Sequence, residues 1–170
     1  KILFVFGTRP EAIKMAPVIN VFKKDSVNFK TLVAVTAQHR EMLDQVLTLF
    51  EIVPDYDLDL MAPNQTLESL TSKVLIGISD LLVEIKPDVV FVQGDTTTTY
   101  ASALAAFYKM IPVAHIEAGL RTNNIYSPFP EEINRRMTTS MASFHFPPTK
   151  QSQQNLLNEG VDKDKIKIAG

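Results

Sequence analysis

A chain of 170 residues is long enough for one domain with a real core, and 45% hydrophobic with 21% charged residues is ordinary for a globular protein. A formal net charge of −2 with no Lys/Arg run speaks against a nucleic-acid binder, and the lack of cysteine excludes a disulfide framework and a thiolate metal site. No apolar run approaches the ~20 residues of a spanning helix, and Ile2–Phe6 is too short for a signal-peptide core, so a soluble cytoplasmic protein with no membrane partner is the expectation.

Ile2–Phe6 is a five-residue apolar run, the signature of a buried parallel strand. Gly7-Thr8-Arg9-Pro10-Glu11 follows as a turn, with Pro10 suited to a helix start and Glu11 adding a favourable charge in its first turn. The helix is expected to run to about Lys24, with Ile13, Val18, Val21 and Phe22 facing inward and a kink at Pro17. Thr31–Val35 reads as a second strand. The polar turn Thr36–Arg40 leads into a helix through Met42, Leu43, Val46, Leu47 and Phe50, and Tyr56–Leu60 reads as a short strand. Thr66–Ile85 is the clearest helix, its Leu67, Leu70, Val74, Ile78, Leu81, Leu82 and Ile85 recurring at three- and four-residue steps until Pro87 stops it.

Val89–Gln93 is then a strand, Thr97–Lys109 an Ala-rich helix, Pro112–Ile116 a strand and Leu120–Pro130 a polar, proline-rich loop. Glu131–Ala142 is a helix, Phe144–Phe146 a short strand, Gln151–Glu159 a helix ended by Gly160, and Ile166–Ile168 a last strand. Strands alternating with helices define an α/β fold: a Rossmann-like, doubly wound, mostly parallel sheet. The chain opens on Lys1 and stops at Gly170 directly after an apolar run, where such a sheet normally continues. The expectation is that residues 1–170 form the first domain of a longer protein.

The chain is organised around Val89–Arg136. Two apolar runs there end in acidic clusters, Gly94-Asp95-Thr96 and Glu117-Ala118-Gly119, and a third acidic pair, Glu131-Glu132, follows Pro130. Ligands of open parallel sheets bind outside the carboxyl ends of the strands, so neighbouring strands would set Asp95 and Glu117 side by side at that edge. Carboxylates converging on one cleft suit acid/base chemistry.

Each candidate has a plainer reading beside the functional one. Asp95 is equally placed to be the N-cap of the next helix. Glu117 has room for a ligand beside Ala118 and Gly119, yet a buried ion pair with Arg121 or Arg9 would explain it as well. Glu131 and Glu132 both fall in a first helical turn, where acids are common, so one of them is expected to be helix decoration. Arg9 can meet a phosphate, a site carboxylate or only water, and Lys14 lies about one turn further on. Thr96 to Thr99 can hold a substrate hydroxyl, although helix starts carry such hydroxyls without ligands. The first turn has one glycine in place of G-x-G-x-x-G, and the second strand ends in Thr36-Ala37 with no acid for a ribose, which argues against a nicotinamide cofactor. His39, His115 and His145 are scattered, His115 reads as a core residue, and no metal is expected.

At GTRPEAIKMAP (Gly7–Pro17), TAQHREMLDQ (Thr36–Gln45), GDTTTT (Gly94–Thr99), HIEAGLRT (His115–Thr122) and SPFPEEINR (Ser127–Arg135) the chain resembles the non-hydrolysing UDP-N-acetylglucosamine 2-epimerases of bacteria. Five motifs in order over nearly the whole chain make the resemblance specific. It implies the first half of a two-domain glycosyltransferase-B-type fold, with the active site between the domains. It implies interconversion of UDP-N-acetylglucosamine and UDP-N-acetylmannosamine, by elimination of UDP to a 2-acetamidoglucal and re-addition, with no cofactor. By motif, Asp95, Glu117 and Glu131 match the family's essential carboxylates, and Arg9 and Lys14 match basic positions that bind the nucleotide sugar.

Homodimers through this domain are common in the family. Its catalytic histidine and most uridine and diphosphate contacts belong to the second domain, so residues 1–170 alone are expected to be inactive. Some members also bind a second UDP-N-acetylglucosamine as an activator. At the matching positions Gln38 is retained, but Glu41 and Asn64 depart from the pattern, and weakened activation is expected. The competing readings are a hydrolysing 2-epimerase, another glycosyltransferase-B-type sugar-nucleotide enzyme, and an inactive nucleotide-sugar-binding domain.

Overall fold

The computed structural model describes residues 1–36, 40–60 and 65–169; Ala37, Gln38, His39, Asn64 and the residues just before it, and Gly170 lie outside the described residues. Six parallel strands form one sheet: β1 (Ile2–Phe6), β2 (Thr31–Val35), β3 (Tyr56–Asp57), β4 (Val89–Gln93), β5 (Val113–Ile116) and β6 (Phe144–Phe146). Their spatial order is β3-β2-β1-β4-β5-β6, so the winding reverses between β1 and β4. The helices between them are α1 (Arg9–Lys24), α2 (Arg40–Leu49), α3 (Leu67–Ile85), α4 (Thr97–Tyr108), α5 (Glu131–Met141) and α6 (Lys150–Asn158).

The central strands are apolar on both faces because both faces are covered. Leu3, Val5, Val90 and Val92 pack toward α3 and α4, whereas Ile2, Phe4, Phe6 and Phe91 pack toward α1 and α2. This alternation is the two-residue period of a strand written into two cores. Among the described residues no helix is long and apolar enough to cross a membrane.

Three expectations are corrected. First, α1 buries Glu11, Ala12, Met15, Ala16 and Ile19, leaving Ile13 46% and Val21 66% exposed. Val18 and Phe22 do pack on the core. The phase of this helix is set by its start. Thr8 is the N-cap, Thr8 and Glu11 form a capping box, and the burial of Glu11 turns the 12-15-16-19 face toward the sheet. Second, Ile166–Ile168 is not a strand. A 3-10 turn over Lys163–Lys165 precedes a single bridge between Ile166 and His145. Third, the N-cap of α4 is Thr96, whose hydroxyl accepts from the Thr99 N–H, so Asp95 is not the cap.

Candidate active site

A cavity of about 510 Å³ opens where the winding reverses, outside the carboxyl ends of β1 and β4. This is the position at which doubly wound sheets receive ligands. Glu11 and Lys14 of α1, Gln93 and Asp95 after β4, Glu117 after β5 and Glu131 at the start of α5 all line it. The three carboxylates the sequence singles out therefore share one crevice, although they come from three different connections.

Glu117 is placed by an unusual backbone. Its φ is +62°, a left-handed conformation that costs a non-glycine residue energy and persists only where surrounding contacts enforce it. Here its N–H donates to the Phe146 carbonyl at 3.0 Å. The side chain is held by Lys14, whose Nζ lies 2.5 Å from Oε2, and by the Gln93 amide, which donates to the same oxygen. The other oxygen, Oε1, carries no hydrogen bond among the described residues. The ion-pair partner of Glu117 is thus Lys14; Arg121 instead forks onto Glu159 with two 2.7 Å contacts.

Asp95 is arranged the same way. Arg135 Nη2 lies 2.5 Å from its Oδ2, and Asn134 Nδ2 donates to its backbone carbonyl at 3.0 Å. Burial pushes the Asp95 carboxyl above the usual aspartate value, Arg135 pulls it back, and the charges of Glu131 and Glu117 push it up again. A carboxyl whose proton affinity is raised by burial and by neighbouring like charges suits acid/base work. Asp95 and Glu117 each line the cavity with one carboxylate oxygen tethered by a neighbouring side chain.

The acidic pair at the start of α5 divides its tasks. Glu131 lines the cavity. Glu132 is fully buried and accepts from the Thr122 and Asn123 N–H groups and from Arg136, with Arg135 Nη1 at 3.4 Å. It pins the preceding loop and backs Arg135, so neither acid is mere helix decoration. Arg9 is exposed at the first position of α1, between the lining residues Thr8 and Pro10, and does not line the cavity. Three of the four threonine hydroxyls are engaged by the fold: Thr96 donates to Glu11, Thr99 lies between Glu11 and the Gln93 carbonyl, and Thr98 pairs with Thr36 at 2.9 Å, while Thr97 lines the cavity.

His115 is buried, hydrogen-bonded through Nε2 to the Gly94 carbonyl at 2.7 Å, and its pKa is lowered to about 4 by burial. It is a core residue steadying the turn that carries Asp95. Among the described residues no group of three or more His, Cys, Asp or Glu side chains could hold a metal ion.

Sequence reasoning missed Glu11 as a site residue, and also Gln93, Asn134 and Arg135. A signal existed for two of them. Thr8 and Glu11 have capping-box spacing, and Arg135 stands four residues after Glu131, on the same helix face. Arg135→Gln tests the electrostatics. Arg135 lowers the Asp95 pKa, so its loss raises that pKa further. A reaction needing ionised Asp95 then begins to lose rate at a higher pH as the solution is acidified, and the acid limb of kcat/KM moves up. A limb that stays in place would show that Arg135 does not govern the titrating group.

A doubly wound α/β domain with carboxylates gathered at its switch point is of the class that receives a ligand outside the carboxyl ends of its strands. The chain belongs to the UDP-N-acetylglucosamine 2-epimerase family, whose sequence profile matches residues 22–170. The UDP-N-acetylglucosamine 2-epimerase of Escherichia coli K12 is 60% identical over 170 residues, all of this chain and 45% of that protein. Among solved structures, the Neisseria meningitidis UDP-GlcNAc 2-epimerase bound to UDP-GlcNAc superposes with a TM-score of 0.95 at 57% identity, covering 99% of this chain and 46% of that one. The Methanocaldococcus jannaschii enzyme in complex with UDP-GlcNAc and UDP gives 0.93 at 39% identity, covering 99% and 46%. The chain thus spans about half the length of the relatives it matches.

Proposed function

We propose that the protein interconverts UDP-N-acetylglucosamine and UDP-N-acetylmannosamine without net hydrolysis, and that residues 1–170 supply the acid/base wall of its active site. The observation that carries this reading is the meeting of Asp95, Glu117 and Glu131 on one crevice, two of them with a single oxygen held from behind. Membership of the family and the UDP-GlcNAc-bound structure of a 57% identical relative support it.

Carbon 2 of the sugar is not acidic, since no ketone stabilises its anion. Departure of UDP builds positive charge on the ring, which nearby carboxylates stabilise. The bond from carbon 1 to the phosphate oxygen breaks, its electron pair leaves with UDP, and a cavity carboxylate takes the proton from carbon 2 to give 2-acetamidoglucal. In return, a second group delivers a proton to the opposite face of carbon 2 and UDP re-adds at carbon 1. Two acid/base groups on one crevice are what inversion at a single carbon requires. Lys14 and Gln93 keep Glu117 oriented, and Arg135 does the same for Asp95. Lys14 lines the cavity and Arg9 stands exposed beside it, so both can meet an incoming nucleotide sugar.

The same reading makes residues 1–170 the first of two Rossmann-like domains, inactive alone, in a cytoplasmic homodimer. It needs no cofactor. Proton NMR of the full-length protein with UDP-N-acetylglucosamine in heavy water tests it. Deuterium should appear at carbon 2 of both epimers. Free N-acetylmannosamine accumulating with UDP, or epimers that retain the original hydrogen, would overturn it.

A further inference from the structure

Glu11 is a buried carboxylate that the proton-transfer scheme does not use. It is 2% exposed and lines the cavity, yet it has no ion-pair partner among the described residues. Every contact it makes is with a donor. Its Oε2 accepts from the Gly7 and Thr8 N–H groups at 2.9 and 2.7 Å, and its Oε1 accepts from the Thr96 hydroxyl at 2.7 Å, with the Thr99 hydroxyl, shared with the Gln93 carbonyl at 2.6 Å, at 3.1 Å. Gly7 and Thr8 form the first βα turn, and Thr8 and Thr96 are the N-caps of α1 and α4. The carboxylate therefore sits where the positive ends of two helices meet.

In dinucleotide-binding domains that turn is the phosphate site, because backbone N–H groups and the helix dipole point at the anion. Here most of the donors are already taken. Gly7 and Thr8 donate to Glu11, Pro10 has no N–H, and the Glu11 N–H is turned to Thr8 Oγ1, which leaves the Arg9 N–H as the one donor of the turn without a partner among the described residues. A buried charge without a cation is costly; the surrounding donors favour the ionised form, while burial raises the Glu11 pKa above the usual glutamate value.

We infer that Glu11 is a built-in anion that occupies the phosphate place of the first βα turn, and so determines which end of a nucleotide sugar enters the crevice. The diphosphate is refused at the β1 wall, and the sugar ring is what reaches Asp95, Glu117 and Glu131. The second half of this statement rests on the proposed reaction; the occupied cradle does not.

The test uses the full-length protein and Glu11→Ala, which empties the cradle and leaves its four donors. Formate is the probe, being the missing carboxylate. The thermal midpoint of the wild type should not respond to formate beyond the ordinary salt effect. Glu11→Ala should unfold earlier and recover saturably, by about 2 °C at a formate concentration tenfold above its Kd. Inorganic phosphate followed by ³¹P NMR should bind the variant and not the wild type. If Glu11→Ala does not fold, folding restored by formate supports the inference, and failure at all formate concentrations counts against it.

A second measurement needs no variant. Phosphate titrated into the wild type should leave the Gly7 and Thr8 amide resonances in place. Equal responses of wild type and variant, or phosphate shifts at Gly7 and Thr8 in the wild type, would overturn it. None of these readouts involves turnover, so failure of the proposed reaction and failure of this inference are separable.

Discussion

Asp95→Asn lowers kcat for epimerisation by about 10²–10⁴-fold and leaves the affinity for UDP-N-acetylglucosamine within about threefold. Asparagine keeps the shape of the side chain, and its amide oxygen can still accept from Arg135 Nη2, which lies 2.5 Å from Oδ2 in the native protein. The backbone stays anchored, because Asn134 holds the Asp95 carbonyl and the helix cap belongs to Thr96. What disappears is a charge and a basic oxygen on a residue that lines the cavity. If Asp95 exchanges a proton or stabilises a cationic ring, its loss falls on the transition state and not on binding. Titration calorimetry beside initial rates measures both quantities. A variant that binds and still turns over within threefold of the wild type would leave Asp95 no chemical role; a protein that only binds nucleotide sugars would show no turnover before or after the exchange.

The same geometry explains why tethering matters. A carboxylate free to rotate presents either oxygen in many directions, and a proton must travel along one. Lys14 and Gln93 on a single oxygen of Glu117, and Arg135 on a single oxygen of Asp95, remove that freedom before the ligand arrives. Orientation fixed in advance lowers the entropy lost in the transition state. Glu131 is different. It stands at the first position of α5, and its charge is felt at Asp95.

The strands were legible because parallel strands covered on both faces are continuous apolar runs. Ile2–Phe6, Thr31–Val35, Val89–Gln93 and Phe144–Phe146 all stand as the sequence predicts them. The inward face of α1 was not legible from apolar spacing, because a buried acid, Glu11, and two alanines set it. Asp95 and Glu117 could be nominated from their position at strand ends, and Glu131 from the helix start after Pro130. Their partners could not, for the contacts of Lys14 with Glu117 and of Arg135 with Asp95 join residues 103 and 40 positions apart. Local periodicity carries no record of such pairs. Which of Glu131 and Glu132 faces the cavity was equally hidden, since it depends on the loop from Leu120 to Pro130 folding back so that Thr122 and Asn123 reach Glu132.

Gly119→Ala is expected to cost about 3–5 kcal/mol of stability, the sum of a left-handed backbone penalty and overpacking. The φ of Gly119 is +86°, and a Cβ built there would lie 2.3 Å from the Ser152 carbonyl oxygen and 2.9 Å from Leu156 Cγ. Neither obstacle is the far end of a flexible chain. Ser152 belongs to the first turn of α6, and Leu156 is fully buried against Ala118 and Ile166. Asn155 Nδ2 also holds the Gly119 carbonyl at 2.9 Å, so the turn and the helix cannot part without losing that bond. At this domain size the midpoint should fall by about 10 °C or more. Gly160→Ala is the matched comparison: its φ is +84°, but nothing lies within 4 Å of the added methyl, so only the backbone penalty of about 1–2 kcal/mol applies. Glu117 lies two residues before Gly119, in its own left-handed conformation, so a shifted turn should also lower kcat at temperatures where Gly119→Ala is still folded. Equal midpoint losses for the two variants would show that α6 yields, and that the close approach of its first turn to Gly119 is not what holds the Glu117 turn in place.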